Sequence, residues 1–112
     1  MATKLTDQFY QVSPTEGLTL TITGPADPHV FLGNGGNDTV SATSGTPFTV
    51  TPKMLPGMGS TTTLSCILLY QAGPDTYSVV VADDQGAQVD AFQVPGPDQG
   101  DFTKLEITIK VA

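Results

Sequence analysis

Residues 77–94 of this chain, YSVVVADDQGAQVDAFQV, have the pattern of a β-hairpin. Two runs rich in Val, Phe and Tyr flank the segment from Asp83 to Gly86, in which the glycine can adopt the positive φ that a tight reversal needs. β-branched and aromatic side chains favour strands because they pack well on a pleated surface. This stretch therefore predicts two antiparallel strands, near residues 76–82 and 87–94.

Strand patterns continue on both sides of this hairpin. Residues 18–23, LTLTIT, and 105–111, LEITIKV, alternate apolar and polar side chains with the period of two that is typical of a half-buried strand. Twelve glycines and nine prolines interrupt the chain at short intervals, which leaves little room for helices. Further strands are predicted at 29–33, 39–43, 47–51 and 61–71. The sequence thus predicts an all-β chain, a single antiparallel β-sandwich domain of about eight strands over residues 1–112. The local patterns do not distinguish this sandwich from a closed barrel, because that choice depends on long-range strand pairing.

Two apolar segments each allow two interpretations. Residues 64–70, LSCILLY, are continuously apolar, so both faces of this strand are predicted to leave water, either as the central strand of the core or as half of an interface between copies. The Met-rich loop 53–60, KMLPGMGS, suits either an adaptable surface for an apolar partner or a plug beneath one end of the sandwich.

The charge of the chain excludes several classes of partner. Eleven acidic residues stand against four lysines and no arginine, which gives a formal net charge of -7. Such a charge repels phosphate backbones and anionic headgroups, so neither nucleic acid nor an acidic membrane is an expected partner. No apolar run approaches the ~18 residues that a membrane span needs, and Met1 to Phe9 lacks the apolar stretch of a signal peptide. We expect a soluble protein, and the sequence does not determine its cellular compartment.

Candidate catalytic residues are few. His29, beside Asp27, is the one available imidazole base, but no Ser or Cys stands in the Gly-x-Ser-x-Gly pattern of a nucleophile elbow. Cys66 is the one cysteine, which excludes an internal disulfide, and its apolar neighbours predict a buried, unreactive thiol. We therefore expect no catalytic residues and no enzymatic activity.

Residues 72–81, AGPDTYSVVV, resemble the start of the penultimate strand of immunoglobulin-like domains, where a short turn precedes a tyrosine and an alternating strand. The resemblance covers the C-terminal third of the chain, and residues 105–111 resemble the closing strand of such a domain. It implies an immunoglobulin-like sandwich in which the Tyr77 hydroxyl bonds back to the backbone at a corner between the sheets. The core tryptophan and the cysteine pair of the disulfide-bonded members are absent.

Calcium is the one metal that the sequence suggests. Residues 32–40, LGNGGNDTV, resemble part of the calcium-binding nonapeptide of RTX proteins, which implies Asp38 as a ligand. That family binds each ion between tandem copies, and with no second copy the alternative is a hairpin loop rich in Gly and Asn. Asp83 with Asp84, and Asp98 with Asp101, form two further acidic pairs that either bind calcium or are solvated turn residues.

Taken together, these patterns predict a non-catalytic binding module that uses sandwich loops or a sheet face, with a carbohydrate, in the manner of a lectin, or a protein as its ligand. In the absence of Trp, one of the three tyrosines or five phenylalanines would have to stack against a sugar ring, and Phe31 and Phe92 are the favoured candidates. The predicted ligand-binding residues are Asn34, Asn37, Asp38, Asp83, Asp84, Asp98 and Asp101. The alternative hypothesis is a structural or assembly protein that forms a homo-oligomer through strand 64–70 and the Met-rich loop.

Overall fold

Ten strands are present in the part of the chain that a computed structural model of the protein describes, which is residues 1–32, 38–40 (backbone alone), 42–71 and 76–112. The strands are β1 Thr3–Thr6, β2 Phe9–Val12, β3 Leu18–Thr23, β4 His29–Leu32, β5 Asp38–Val40, β6 Phe48–Val50, β7 Thr61–Leu69, β8 Thr76–Asp83, β9 Gln88–Pro95 and β10 Phe102–Val111. The one helical segment among these residues is a 3-10 turn at Pro52–Met54, so no described helix is long and apolar enough to cross a membrane. The predicted all-β class is confirmed.

The strands form two sheets that pack face to face as a β-sandwich. The six-stranded sheet has the order β1-β2-β10-β7-β4-β5, and the four-stranded sheet has the order β6-β3-β8-β9. Every described pair is antiparallel except β2 with β10, which run parallel. The prediction of a purely antiparallel sandwich of about eight strands missed this parallel pair and the two N-terminal strands, β1 and β2.

The core lies between the sheets and consists of alternate residues from each strand. In β3 the buried residues are Leu18, Leu20 and Ile22, while the threonines between them face outward, as the LTLTIT pattern predicts. The predicted hairpin of β8 and β9 is also present, and Gly86 in its turn has φ 88°. These elements confirm that the period of two marks the inner faces of the sheets.

β7 is the central strand that the apolar run 64–70 predicts, because it lies between β10 and β4. Its burial nevertheless alternates. Leu64, Cys66 and Leu68 are fully buried, whereas Ile67 is half-buried and Leu69 is exposed on the outer face. Both faces of this strand were expected to be buried, but within this chain only the inner face is.

The Met-rich loop divides between its two interpretations. Leu55 packs against the core from beneath, whereas the side chains of Met54 and Met58 are exposed. The loop returns to the sheet where the Gly59 N–H donates to the Val111 carbonyl at 2.7 Å. It thus lies at the end of β7 that carries Thr61, remote from Leu69 at the other end.

Candidate functional site

A polar cleft of about 180 Å³ opens on the side of the sandwich where the β1–β2 turn approaches β9. Its lining residues are Lys4, Asp7, Gln8, Asp90, Ala91, Phe92 and Gln93. Sites for drug-sized ligands usually enclose ~300–1,000 Å³, so this cleft accommodates a small ligand or one unit of a longer one.

The cleft exists because polar side chains, rather than apolar ones, close this side of the sandwich. Lys4 lies opposite Tyr10 in the β1–β2 pair, and both point toward the inner face. Asp90 lies opposite Val81 on the inner face of β9. The Tyr10 hydroxyl donates to Asp90 Oδ2 at 2.7 Å, and Lys4 Nζ lies 3.4 Å from the same oxygen. Lys4 and Tyr10 of one sheet therefore bind Asp90 of the other.

The Lys4 ammonium is held between two carboxylates. Its Nζ is 3.2 Å from Asp7 Oδ1 as well as 3.4 Å from Asp90 Oδ2. The hydrogen bond to Asp7 is the largest cause of a raised Lys4 pKa, and Asp90 contributes in the same direction against the effect of burial. Lys4 is therefore positively charged across the physiological range.

Burial and hydrogen bonding act on the other two members of this cluster. Burial raises the pKa of Tyr10, and the hydrogen bond to the Asp90 carboxylate raises it further, because ionisation would bring two negative charges together. Burial also raises the pKa of Asp90, but hydrogen bonds from Tyr10, from the Ala91 N–H and from Lys4 outweigh this effect and lower the pKa below its usual value. Tyr10 is therefore neutral and Asp90 is ionised at neutral pH.

Gln8 adds a backbone constraint at the rim of the cleft. It occupies the β1–β2 turn with φ 55°, and among the residues that the structure describes no other non-glycine residue has a positive φ. A left-handed conformation costs a non-glycine residue ~1–3 kcal/mol and persists where the surrounding structure enforces it. Here the Gln8 carbonyl accepts a 2.9 Å hydrogen bond from the Thr108 N–H of β10, which fixes the turn beside the cleft.

The structure places the predicted acidic pair Asp83 and Asp84 in the β8–β9 turn, where their carboxylates bind backbone amides. The buried Asp83 accepts hydrogen bonds from the N–H groups of Gln85 and Ala87, both at 2.9 Å to Oδ1. Asp84 Oδ2 accepts a 3.1 Å hydrogen bond from the Gly17 N–H. These oxygens stabilise the turn and connect it to the chain before β3.

Asp98 and Asp101, the second predicted pair, lie in the exposed loop between β9 and β10. The Asp101 N–H donates to the Asp98 carbonyl at 3.0 Å, and Asp101 Oδ1 accepts a 2.8 Å hydrogen bond from the Phe102 N–H. The two acidic pairs are not brought together, because the eight residues of β9 separate them by about 27 Å. Within the described residues no three His, Cys, Asp or Glu side chains are grouped to hold a metal ion.

The remaining predicted ligand residues fall partly outside the description. Asn34 and Asn37 lie outside the described residues. Asp38 is the first residue of β5, and its backbone is opposite Leu32 in β4. Of the two phenylalanines predicted to stack against a sugar, Phe31 is 42% exposed on the outer face of the six-stranded sheet, and Phe92 is half-buried where it lines the cleft.

His29 and Cys66 lie apart from the cleft. His29 is exposed at the start of β4, and the neighbouring Asp27 accepts a 2.8 Å hydrogen bond from the Ser44 N–H. Cys66 is fully buried, and burial raises the pKa of its thiol to about 12, as its apolar neighbours predict. Neither residue belongs to the polar cluster.

Most residues of the cleft were not predicted from the sequence, because β1 and β2 were not recognised as strands. One signal was available in residues 9–12, FYQV, which are rich in the aromatic and β-branched side chains that favour strands. A second was Asp90 itself, which shares the inner face of β9 with Phe92 and Val94. An acidic residue at a core-facing position needs a partner.

No protein-family model, curated protein or solved structure matches this chain. Function is therefore inferred from the geometry of the cleft and of the outer sheet faces.

Proposed function

We propose that the protein is a non-catalytic binding module with an immunoglobulin-like sandwich, and that it binds a neutral carbohydrate in the cleft between the β1–β2 turn and β9. The observation that carries this proposal is the lining of the cleft, which combines hydrogen-bond donors and acceptors with a phenyl ring. The architecture is supported by the hydrogen bond from the Tyr77 hydroxyl to the Leu69 carbonyl, which resembles the tyrosine corner of that fold.

Sugar hydroxyls both donate and accept hydrogen bonds, and the cleft offers partners of both kinds. Lys4 and the amides of Gln8 and Gln93 are donors, while the carboxylate of Asp7, which is 87% exposed, is an acceptor. The contacts among Lys4, Asp90 and Tyr10 hold the first donor in place before a ligand arrives. Such preorganisation reduces the entropic cost of binding.

The charges of the cleft disfavour other ligand classes. Asp7 and Asp90 outnumber Lys4, so a phosphate or carboxylate ligand would meet net repulsion in a chain that already carries -7. A ligand amine would have to displace Lys4, whose Nζ lies 3.2 Å from Asp7 Oδ1 and 3.4 Å from Asp90 Oδ2. An apolar ligand would cover these polar groups without pairing them, which is costly. A neutral polyhydroxylated ligand meets none of these penalties.

The size of the cleft and the position of Phe92 fit one sugar ring. Phe92 is half-buried and lines the cleft, so part of its ring remains available to stack against the C–H surface of a pyranose. At about 0.3 kcal/mol per non-hydrogen atom, one hexose ring is expected to bind with a Kd of about 2 mM, and a longer chain that leaves through the open side would bind more tightly.

The test is a titration of the ¹⁵N-labelled protein with glucose, galactose, mannose and N-acetylglucosamine, and with short oligomers of each, followed by NMR. At least one neutral sugar is expected to produce saturable shifts in the amides of Gln8, Ala91 and Gln93. The Gln93→Ala variant should weaken that binding about fivefold, because one hydrogen bond contributes about 1 kcal/mol. Gln99→Ala, in the exposed β9–β10 loop, is the matched control and should bind as the parent does.

Two comparison ligands test the argument from charge. Glucuronic acid and glucosamine should each bind more weakly than glucose, for the reasons given for anions and amines. Tighter binding of glucosamine would show that the cleft selects a cation instead. If no neutral sugar gives saturable shifts at 20 mM, or if the shifts map to the loop of Asp98 and Asp101, the carbohydrate proposal for this cleft is wrong.

A further inference from the structure

The outer face of the six-stranded sheet carries large apolar side chains in contact with solvent. Phe31 of β4 is 42% exposed, Leu69 of β7 is 37% exposed and Phe102 of β10 is 56% exposed, while Ile67 is half-buried between them. A single exposed apolar residue is ordinary, but a group of neighbours on one sheet face is typical of a contact surface.

The strand register shows that these residues are neighbours. Phe102 lies directly opposite Leu69, and Ile67 follows two positions along β7 on the same face. Phe31 lies opposite Ser65, so its ring is diagonal to Ile67. We use the name β7 face for the outward side chains of β4, β7 and β10, to which these four residues belong.

The charges on the β7 face differ from those of the rest of the molecule. Lys104 and Lys110 of β10 and His29 of β4 point outward there, and Glu106 is the one carboxylate among the outward side chains of these three strands, which the structure describes in full. The other acidic residues whose side chains the structure describes lie outside these three strands. Two copies of an acidic protein would therefore repel each other least when these faces meet.

Lys104 and Glu106 are the key pair, because they lie on one strand and on one face, two residues apart and on either side of the buried Leu105. In one two-fold arrangement β10 of one copy lies antiparallel over β10 of a second copy, and the axis passes over Leu105, in the plane of the interface and perpendicular to the strands. Lys104 of each copy then faces Glu106 of the other. The alternative two-fold arrangement, with its axis along β7, would place Lys104 of one copy over His29 of the other and Glu106 over Phe31, so neither charged group would meet an opposite charge. The charges thus select the antiparallel arrangement.

The area of the face is sufficient for a weak dimer. β7 and β10 extend for about 30 Å, and with the shorter strands β4 and β2 beside them two copies would bury about 1,000 Å² in total. This value is at the lower limit for a biological interface, so we expect association at micromolar concentrations.

We propose that the β7 face is the interface of a symmetric homodimer in which the two β10 strands cross antiparallel and Lys104 of each copy pairs with Glu106 of the other. The interface covers Phe31, Ile67, Leu69 and Phe102. It does not include the Met-rich loop 53–60, because Met58 lies near Thr61 at the start of β7, whereas Leu69 lies at the other end of that strand. The dimer is independent of the cleft, so Gln93→Ala should leave it unchanged.

The first test is sedimentation velocity from 1 to 500 µM protein at physiological ionic strength. The mass is expected to rise from 11.6 kDa to twice that value over this range. Phe102→Ser should weaken dimerisation more than tenfold, because it removes an exposed ring from the patch. Met58→Ser, which changes a more exposed side chain away from the face, is the matched control and should dimerise as the parent does.

The second test isolates the charge pair. Lys104→Glu and Glu106→Lys should each weaken self-association more than tenfold, because each places like charges against each other twice. Mixing the two variants should restore a heterodimer of about parental affinity, since every pair is then opposite in charge. Restoration on mixing also shows that both variants are folded.

Three results would overturn the proposal. A parent chain that stays monomeric at 500 µM excludes the dimer. An unchanged affinity in Phe102→Ser places any dimer on another surface. Two charge variants that fail to associate when mixed, although each melts at the parental temperature, exclude the antiparallel β10 arrangement.

Discussion

The hydroxyl of Tyr77 donates a 2.6 Å hydrogen bond to the carbonyl oxygen of Leu69, eight residues earlier in the chain. Leu69 ends β7 in the six-stranded sheet, and Tyr77 follows the first residue of β8 in the four-stranded sheet. The bond therefore joins the two sheets at the point where the chain crosses between them. Tyr77 is fully buried, so its ring also contributes to the core.

Replacing Tyr77 with Phe should destabilise the fold because it removes the hydrogen bond to Leu69. The ring volume is kept but this hydrogen bond is lost, and one hydrogen bond contributes about 0.5–1.5 kcal/mol net. Urea unfolding should show a lower midpoint with an unchanged slope. Tyr70→Phe, the same change at a half-buried neighbour, should alter the free energy of unfolding by less than about 0.5 kcal/mol. Equal losses in the two variants would show that the corner contact has no special weight.

Gly24 should not tolerate even a methyl group, because it lies against the ring of Tyr77. A Cβ built on Gly24 would overlap ring carbons Cγ, Cδ2 and Cε2 of that tyrosine. Overpacking of this kind usually costs about 1–3 kcal/mol, and here the ring is also held by its hydroxyl.

The control for Gly24→Ala is Gly57→Ala, since a Cβ at Gly57 meets no atom within 4 Å. Both changes reduce the entropy of the unfolded chain by a similar amount, so the difference between them reports the overlap. Thermal unfolding should place Gly24→Ala well below the parent and Gly57→Ala within a few degrees of it. A Gly24→Ala protein as stable as Gly57→Ala would mean that the ring of Tyr77 moves easily.

Tyr77 and the strand pair β2–β10 show how far the fold can be predicted from the sequence. The hydrogen bond of Tyr77 was implied by the resemblance of residues 72–81 to a strand of immunoglobulin-like domains, and that resemblance rests on a short local pattern. The pairing of β2 with β10 could not be, because it joins residues 9–12 to residues 108–111. Without β2 neither Tyr10 nor Lys4 could be placed beside Asp90, so the cleft was not predicted either. Apart from Ser65 the run 64–70 is apolar, and which of its residues face outward depends on neighbouring strands far away in the sequence.

The Tyr10–Asp90 contact should make stability depend on pH in both directions. The Tyr10 pKa is raised in the fold, so its contribution is fully present below the unfolded pKa of ~10 and is lost as the pH rises above it. The Asp90 pKa is lowered, so its contribution is present above the unfolded pKa of ~4 and is lost as the pH falls through the lower folded value. Unfolding free energies measured from pH 2 to 11 should therefore fall at both ends.

Two variants separate the loss of stability at low pH, the acid limb, from the loss at high pH, the alkaline limb. Tyr10→Phe should be less stable at pH 7 because it loses the 2.7 Å hydrogen bond, but its loss of stability above pH ~10 should be shallower than that of the parent. Asp90→Asn should likewise flatten the acid limb. An alkaline limb as steep in Tyr10→Phe as in the parent would assign the loss to other groups.

Cys66 should react with thiol reagents only when the protein opens. Its side chain is fully buried in β7, and the pKa of about 12 leaves about one thiolate in 10⁴ at pH 8. Ellman's reagent should therefore modify the native protein over hours and the guanidinium-unfolded protein at once. A second thiol introduced by Gln99→Cys, with Cys66 retained, should react immediately in the native state, so that one of two thiols is counted. Because Cys66 is inaccessible, the proposed dimer should also be unaffected by reductant. Native modification of Cys66 as fast as that of the added thiol would mean that β7 opens readily and that neither its buried face nor the interface on its outer face is stable.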